Sequence, residues 1–237
     1  MRKRQALVWL LCAALLAGCQ GEPEETAPAV TPISQEALSQ DLRDALEAEW
    51  EAWNALSEEA QVVSSHMPGW CQQDFEDWAA GEAFLGFSVP NPLEDSDWLE
   101  KGTYVAMPLG FQDAPRVKVD WNGTQEGYVD WIDAGAGYRS GSTRVTISAL
   151  LYGDPTKARR SDRGWTLDLG KQEAPPDGER DVLHVISENT ERYCSRTAYL
   201  IWSGVLYHVH VVGEPGEKTE VEETLERALE AFSEESE

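Results

Sequence analysis

Residues 193–212 read YCSRTAYLIWSGVLYHVHVV. Two runs rich in β-branched and aromatic residues, Tyr193–Trp202 and Val205–Val212, are separated only by Ser203-Gly204. Such composition suits a pleated, half-buried surface, and a two-residue link containing glycine suits a tight hairpin. An antiparallel ladder is therefore expected near the end of the chain. Upstream, Ser142–Tyr152 alternates Val145, Ile147, Ala149 and Leu151, and Arg116–Trp121 alternates Val117, Val119 and Trp121. Asn122-Gly123 signals a second hairpin, with Tyr128–Ile132 as the returning strand. Phe84–Val89, Tyr104–Met107, Trp165–Leu169 and Val182–Ser187 are further candidate strands. Val119-Asp120-Trp121 recurs as Val129-Asp130-Trp131, but no third copy follows, so these are two similar strands and not a repeat architecture.

Helical spacing frames these strands. Leu38, Leu42, Ala45, Leu46, Trp50, Trp53 and Leu56 recur at three- and four-residue intervals, with Ser34 as a candidate cap. Cys71–Ala80 suggests a second, short helix. Glu217–Phe232 closes the chain with Val221, Leu225, Ala228, Leu229 and Phe232 on one face. Strands with hairpin-length links between two helices predict an α+β fold. The expected form is a single mostly antiparallel β-sheet with an N-terminal and a C-terminal helix packed on it, in one domain spanning 34–237.

The first 33 residues follow other rules. Arg2, Lys3 and Arg4 precede an apolar run from Ala6 to Leu16, then Ala17, Gly18 and Cys19. That is the layout of a secretory signal, and the run is shorter than the roughly 20 residues a spanning helix needs. Cleavage after Gly18 would leave Leu16 where an ordinary site wants a small residue. Leu16-Ala17-Gly18-Cys19 instead resembles the bacterial lipobox. The resemblance covers residues 1–19 and implies removal of 1–18 and a lipid on Cys19, holding the chain on the outer face of a cell membrane or an outer membrane. Two or three acyl chains would anchor it durably, since each buried methylene contributes about 0.8 kcal/mol. Residues 20–33 are rich in Glu, Pro, Ala and Thr and read as an extended tether.

Charge narrows the partners. The full chain carries 19 basic and 43 acidic residues. Loss of Arg2, Lys3 and Arg4 with a signal segment leaves 16 basic residues and a net charge of −27. Such a field repels nucleic acid and anionic headgroups and favours cationic partners. Ten tryptophans, nine of them after the signal segment, argue for a folded core. Cys12 leaves with the signal and Cys19 takes lipid, so Cys71 and Cys194 remain as an even pair. In an oxidising compartment they are expected to form a disulfide.

Three constellations bear on chemistry. His208-Val209-His210 places two imidazoles on one face of a strand, with His184 on another strand as a possible third donor. Strand-borne histidines of this spacing can ligate zinc or copper. Glu94, Asp95 and Asp97, and again Asp130 and Asp133, crowd oxygen ligands, but the glycine of a calcium loop is missing from the register that starts at Asp120. Lys157, Arg159, Arg160 and Arg163 form the one basic cluster after the signal and suit a solvated loop or an anion contact. No nucleophile elbow, phosphate loop or dinucleotide fingerprint occurs. The expectation is thus a membrane-anchored lipoprotein with a non-catalytic binding or complex-assisting role towards a protein or small ligand. Trp98, Trp121, Trp131 and Trp165 are the candidate binding residues. The rival is a metal-dependent hydrolase built on His208 and His210.

Overall fold

The computed structural model describes residues 30–64, 67–102, 116–156, 159–162, 165–168 and 181–233, with backbone alone at 63, 159–162, 165–168 and 181–184. The elements are α1 (Gln40–Asn54), α2 (Glu58–Val63), β1 (Trp70–Phe75), α3 (Trp78–Leu85), β2 (Glu100–Lys101), β3 (Val117–Gly123), β4 (Val129–Ser140), β5 (Thr143–Tyr152), β6 (Arg159–Asp162), β7 (Trp165–Asp168), β8 (Asp181–Asn189), β9 (Cys194–Trp202), β10 (Val205–Gly213) and α4 (Lys218–Glu230). A mostly antiparallel sheet accompanied by a few helices makes this an α+β fold. Among the described residues its main sheet has eight strands in the order β1-β3-β4-β5-β10-β9-β8, with β2 on β4, while β6 and β7 form a separate two-stranded ladder.

The β9–β10 hairpin turns at Ser203-Gly204, both with positive φ (49° and 73°). Two successive positive φ values define the primed turn whose twist matches paired strands. Alternation then sorts the sheet into two faces. Val119, Trp121, Ile132, Ala134, Ile147, Ala149, Val209 and Val211 join Leu42, Leu46, Leu225 and Phe232 in one buried apolar cluster. Thr146, Ser148, Thr197, His208 and His210, which alternate with them, are also buried but are polar.

Several local expectations are corrected. Phe84-Leu85 ends helix α3 and does not begin a strand. Asp77 caps its start by accepting from the Ala80 amide, and Gly86 ends it at φ 90°. A short apolar run fits either state by periodicity alone, and here the caps decide. Trp70–Phe75 is a strand paired with β3, not helix. The Asn122-Gly123 signal marks a register shift, and the chain turns at 124–127 instead, where Gly127 takes φ 84°. Ser39, not Ser34, caps α1 by accepting from the Leu42 amide. Tyr104–Met107 lies outside the described residues.

The expected bridge between Cys71 and Cys194 is also overturned, for both thiols are free. Cys71 is on β1 and Cys194 on β9, five strand-to-strand steps apart in the sheet order. At about 4.8 Å per step the two strands lie roughly 24 Å apart, far beyond the roughly 7 Å between Cα atoms that a disulfide tolerates. The Cys194 Sγ instead donates to the Glu214 carbonyl at 2.9 Å.

Candidate functional site

Two regions gather groups able to do chemistry. The first is the polar face of the sheet. His208 on β10 lies between Ser148 on β5 and Tyr199 on β9, and His210 lies between Thr146 and Thr197. All six side chains are at most 4% exposed. The two imidazoles do share a face, with ring centroids 6.1 Å apart and planes 17° from parallel. Tyr199 stacks on His208 at 4.8 Å, and His210 Nδ1 meets the Thr197 hydroxyl at 2.8 Å. Residues two apart on a strand point the same way, which explains the shared face. Stacked rings present their planes to one another, whereas metal ligands turn their nitrogens towards one point about 2 Å from each.

Among the described residues no group of three or more His, Cys, Asp or Glu side chains is arranged to hold a metal ion. The backbone of His184 is on β8 opposite Tyr199, so Tyr199 occupies the register position between His184 and His208; the side chain of His184 lies outside the described residues. Farther along this face, Asp120 and Asp133 sit directly opposite one another on β3 and β4. Burial raises the Asp120 carboxyl, the Lys118 ammonium 3.0 Å away pulls it back, and the Asp74 charge adds to the rise.

The second region is a groove of about 570 Å³ between α1 and the edge strand β1. Ala45, Ala48 and Glu49 form one wall, Trp70 to Gln73 the other, and Trp121 lines it from β3. Cys71 faces this groove, but burial and then the Glu49 charge push its thiol up to about 12. It is therefore protonated at neutral pH and a poor nucleophile. The Trp121 indole Nε1 is buried without a hydrogen-bond partner among the described residues.

The remaining expected site residues are dispersed. Trp98 packs against α4, with the Arg227 guanidinium carbon 4.4 Å above its ring. Trp121 is a core residue at 1% exposure. Trp131 is half-buried near the start of β4, and Trp165 contributes backbone to β7, its side chain lying outside the described residues. Asp95 and Asp97 are exposed, while Glu94 is drawn inward to Arg116, Tyr138 and Lys101. Arg159 and Arg160 pair in β6; Lys157 and Arg163, like Cys19, lie outside the described residues. Sequence reasoning missed the Glu94–Arg116–Tyr138 network, because nothing in spacing links residues 22 and 44 positions apart. It also missed the groove, since Cys71–Ala80 reads as helix.

Burial would push the Glu94 carboxyl up, but hydrogen bonds from Arg116, Tyr138 and Lys101 outweigh it and hold the group below the usual range. Asn91 donates to the Tyr138 hydroxyl at 2.8 Å, so the network ties the 91–101 segment to β4. Its groups are mutually engaged, which is the arrangement of a structural clamp. Compared with protein-family models, curated proteins and solved structures, the chain matches none of them.

Proposed function

We propose that this chain is an extracytoplasmic lipoprotein, anchored to the membrane by lipid on Cys19, whose domain binds a protein or small-ligand partner without catalysing a reaction. The observation that carries the reading is Leu16-Ala17-Gly18-Cys19 behind Arg2-Lys3-Arg4 and an unbroken apolar run. No helix among the described residues is long and apolar enough to cross a membrane. We read the Gln40–Asn54 and Lys218–Glu230 helices as the two packed on the apolar face of the sheet, with the groove at the margin of the first of them.

That groove supports the binding role. β1 ends the strand order. The Gly123 amide donates to the Gly69 carbonyl, so alternation along the antiparallel pair turns the peptide groups of Gln72 and Asp74 to the outer edge. An extended segment can add to such an edge and place side chains in the adjoining groove. The net charge of the mature chain favours a cationic segment. Mass spectrometry of the native protein tests the anchor, with acylated Cys19 expected at the N-terminus and Cys19→Ala releasing the protein. Crosslinking on intact cells tests the role: a partner joined through residues 70–74 without turnover supports it. Metal-dependent hydrolysis abolished by His208→Ala would replace it with the hydrolase.

A further inference from the structure

Tyr152 and the Ser203-Gly204 hairpin hold the point where the N-terminal segment joins the domain. The Thr31 amide donates to the Gly204 carbonyl at 2.7 Å and the Ile33 amide to the Tyr152 carbonyl at 2.8 Å. The same end of the sheet is marked by a register row running across β1, β3, β4 and β5: Trp70, Asn122, Trp131 and Tyr152. Three of these four are aromatic, and all three are half-buried.

Exposed apolar side chains collect at this end too. Among the described residues five large hydrophobic side chains are exposed: Leu56, Val62, Met67, Tyr128 and Val185. The first four belong here. Tyr128 lies in the β3–β4 turn, where its hydroxyl would meet a Cβ placed on Gly153. Met67 accepts from the Trp70 amide at the start of β1. Trp50, near the C-terminus of α1, donates its indole N–H to the Gly123 carbonyl. Leu56 and Val62 follow just beyond, where the Gln61 side chain joins α2 to the Trp53 carbonyl. Val62 is 85% exposed, and nothing among the described residues covers it.

We infer that this end of the domain is a membrane-contact surface, seated on the lipid–water interface of the bilayer that carries Cys19. The inference rests on the proposed lipid anchor and goes beyond it, since an anchor alone fixes no orientation. Ten residues lie between Cys19 and Val30, so the eleven chain steps place the entry point at most roughly 40 Å from the lipidated sulfur. A tether of that length holds the apolar tip at high effective concentration against the surface, so a weak contact suffices. The chemistry fits the interface. Tryptophan and tyrosine favour the headgroup boundary, where an apolar ring and a polar atom are both accommodated. Val62 and Met67 add aliphatic side chains able to enter the acyl boundary. Glu58, Glu59, Glu126 and Asp130 lie beside them, so the surface suits zwitterionic lipid and does not gain from anionic headgroups.

The test uses the full acylated protein in phosphatidylcholine vesicles whose acyl chains carry bromine, a short-range quencher of indole fluorescence. Acylation is read by mass in the same sample. Tryptophan fluorescence should fall relative to unbrominated vesicles, and the Trp70→Phe/Trp131→Phe variant should lose at least half of that quenching. Val62→Glu, at a site too exposed to disturb folding, should halve it independently. Equal fluorescence in the two vesicles, or quenching untouched by these variants, overturns the orientation while the acylated mass still stands. An unacylated Cys19 overturns the anchor itself, and this inference with it.

Discussion

The hydroxyl of Thr197 and Nδ1 of His210 lie 2.8 Å apart across the β9–β10 ladder, both buried. A bond of this kind in a closed setting fixes the imidazole tautomer and ring angle. Thr197→Val keeps the shape and deletes the hydroxyl, so it should lower stability by about 1–2 kcal/mol in urea unfolding. Thr197→Ser should recover most of the loss. If Thr197→Val unfolds with wild-type energy, the contact is not part of what holds the polar face together.

Zinc and copper calorimetry addresses the same pair from the other side. Rings stacked 6.1 Å apart, one of them covered by Tyr199, should give no binding heat at micromolar metal. Saturable heat lost in His208→Ala would show that these rings reorient and recruit another donor.

The two domain cysteines should titrate as two thiols once the protein is denatured, with no mass deficit for a bridge. In the native state Cys71 should react slowly with thiol reagents at neutral pH, because burial pushes its pKa up to about 12 and leaves little thiolate. Reaction should speed up steeply only in strong alkali. A rapid native reaction at pH 7 would contradict that environment.

Glu94 sets a pH dependence with a definite sign. Its folded pKa is lowered, so its contribution is complete above the ordinary carboxylate range. It is lost as pH falls through the folded value. Glu94→Gln should cost about 1–2 kcal/mol at pH 7, discounted for partial exposure. The difference from wild type should shrink in acid. A gap that stays constant down to pH 3 would assign the loss to packing instead of charge.

Gly69 and Gly127 both hold positive φ, at 73° and 84°. At Gly69 an added Cβ would collide with the Gly123 carbonyl and approach the Trp50 indole, whereas at Gly127 it would meet nothing within 4 Å. Gly127→Ala should cost about 1 kcal/mol of backbone strain, and Gly69→Ala clearly more, in the range of about 2–4 kcal/mol. Equal costs would mean that the α1–β1 junction yields freely.

Legibility in the sequence followed the reach of each signal. The β9–β10 hairpin was legible because its turn residues and both strands are contiguous, and the α4 stripe for the same reason. Phe84-Leu85 was not, since five or six apolar residues satisfy either period and only the flanking Asp77 and Gly86 distinguish them. Strand order is a long-range property: β10 inserts between β5 and β9, and β1 pairs with β3. No local pattern therefore reveals that Cys71 and Cys194 stand five strands apart. For the site, the shared face of His208 and His210 follows from their spacing of two, but their partners Thr197 and Tyr199 depend on register. The groove needs α1 and β1 side by side, which spacing does not encode.

Residues 31–33 run alongside the sheet, bridged in parallel to Tyr152 at Pro32 and hydrogen-bonded at Gly204. Any tension arriving from the N-terminal side is therefore delivered to β5 and β10, two strands paired along their length in the middle of the sheet. A parallel attachment pulled along its axis must break its hydrogen bonds together, while one pulled at right angles parts them singly. The domain is consequently gripped at interior strands, each paired on both sides, and the edge strand with its groove remains outside the load path.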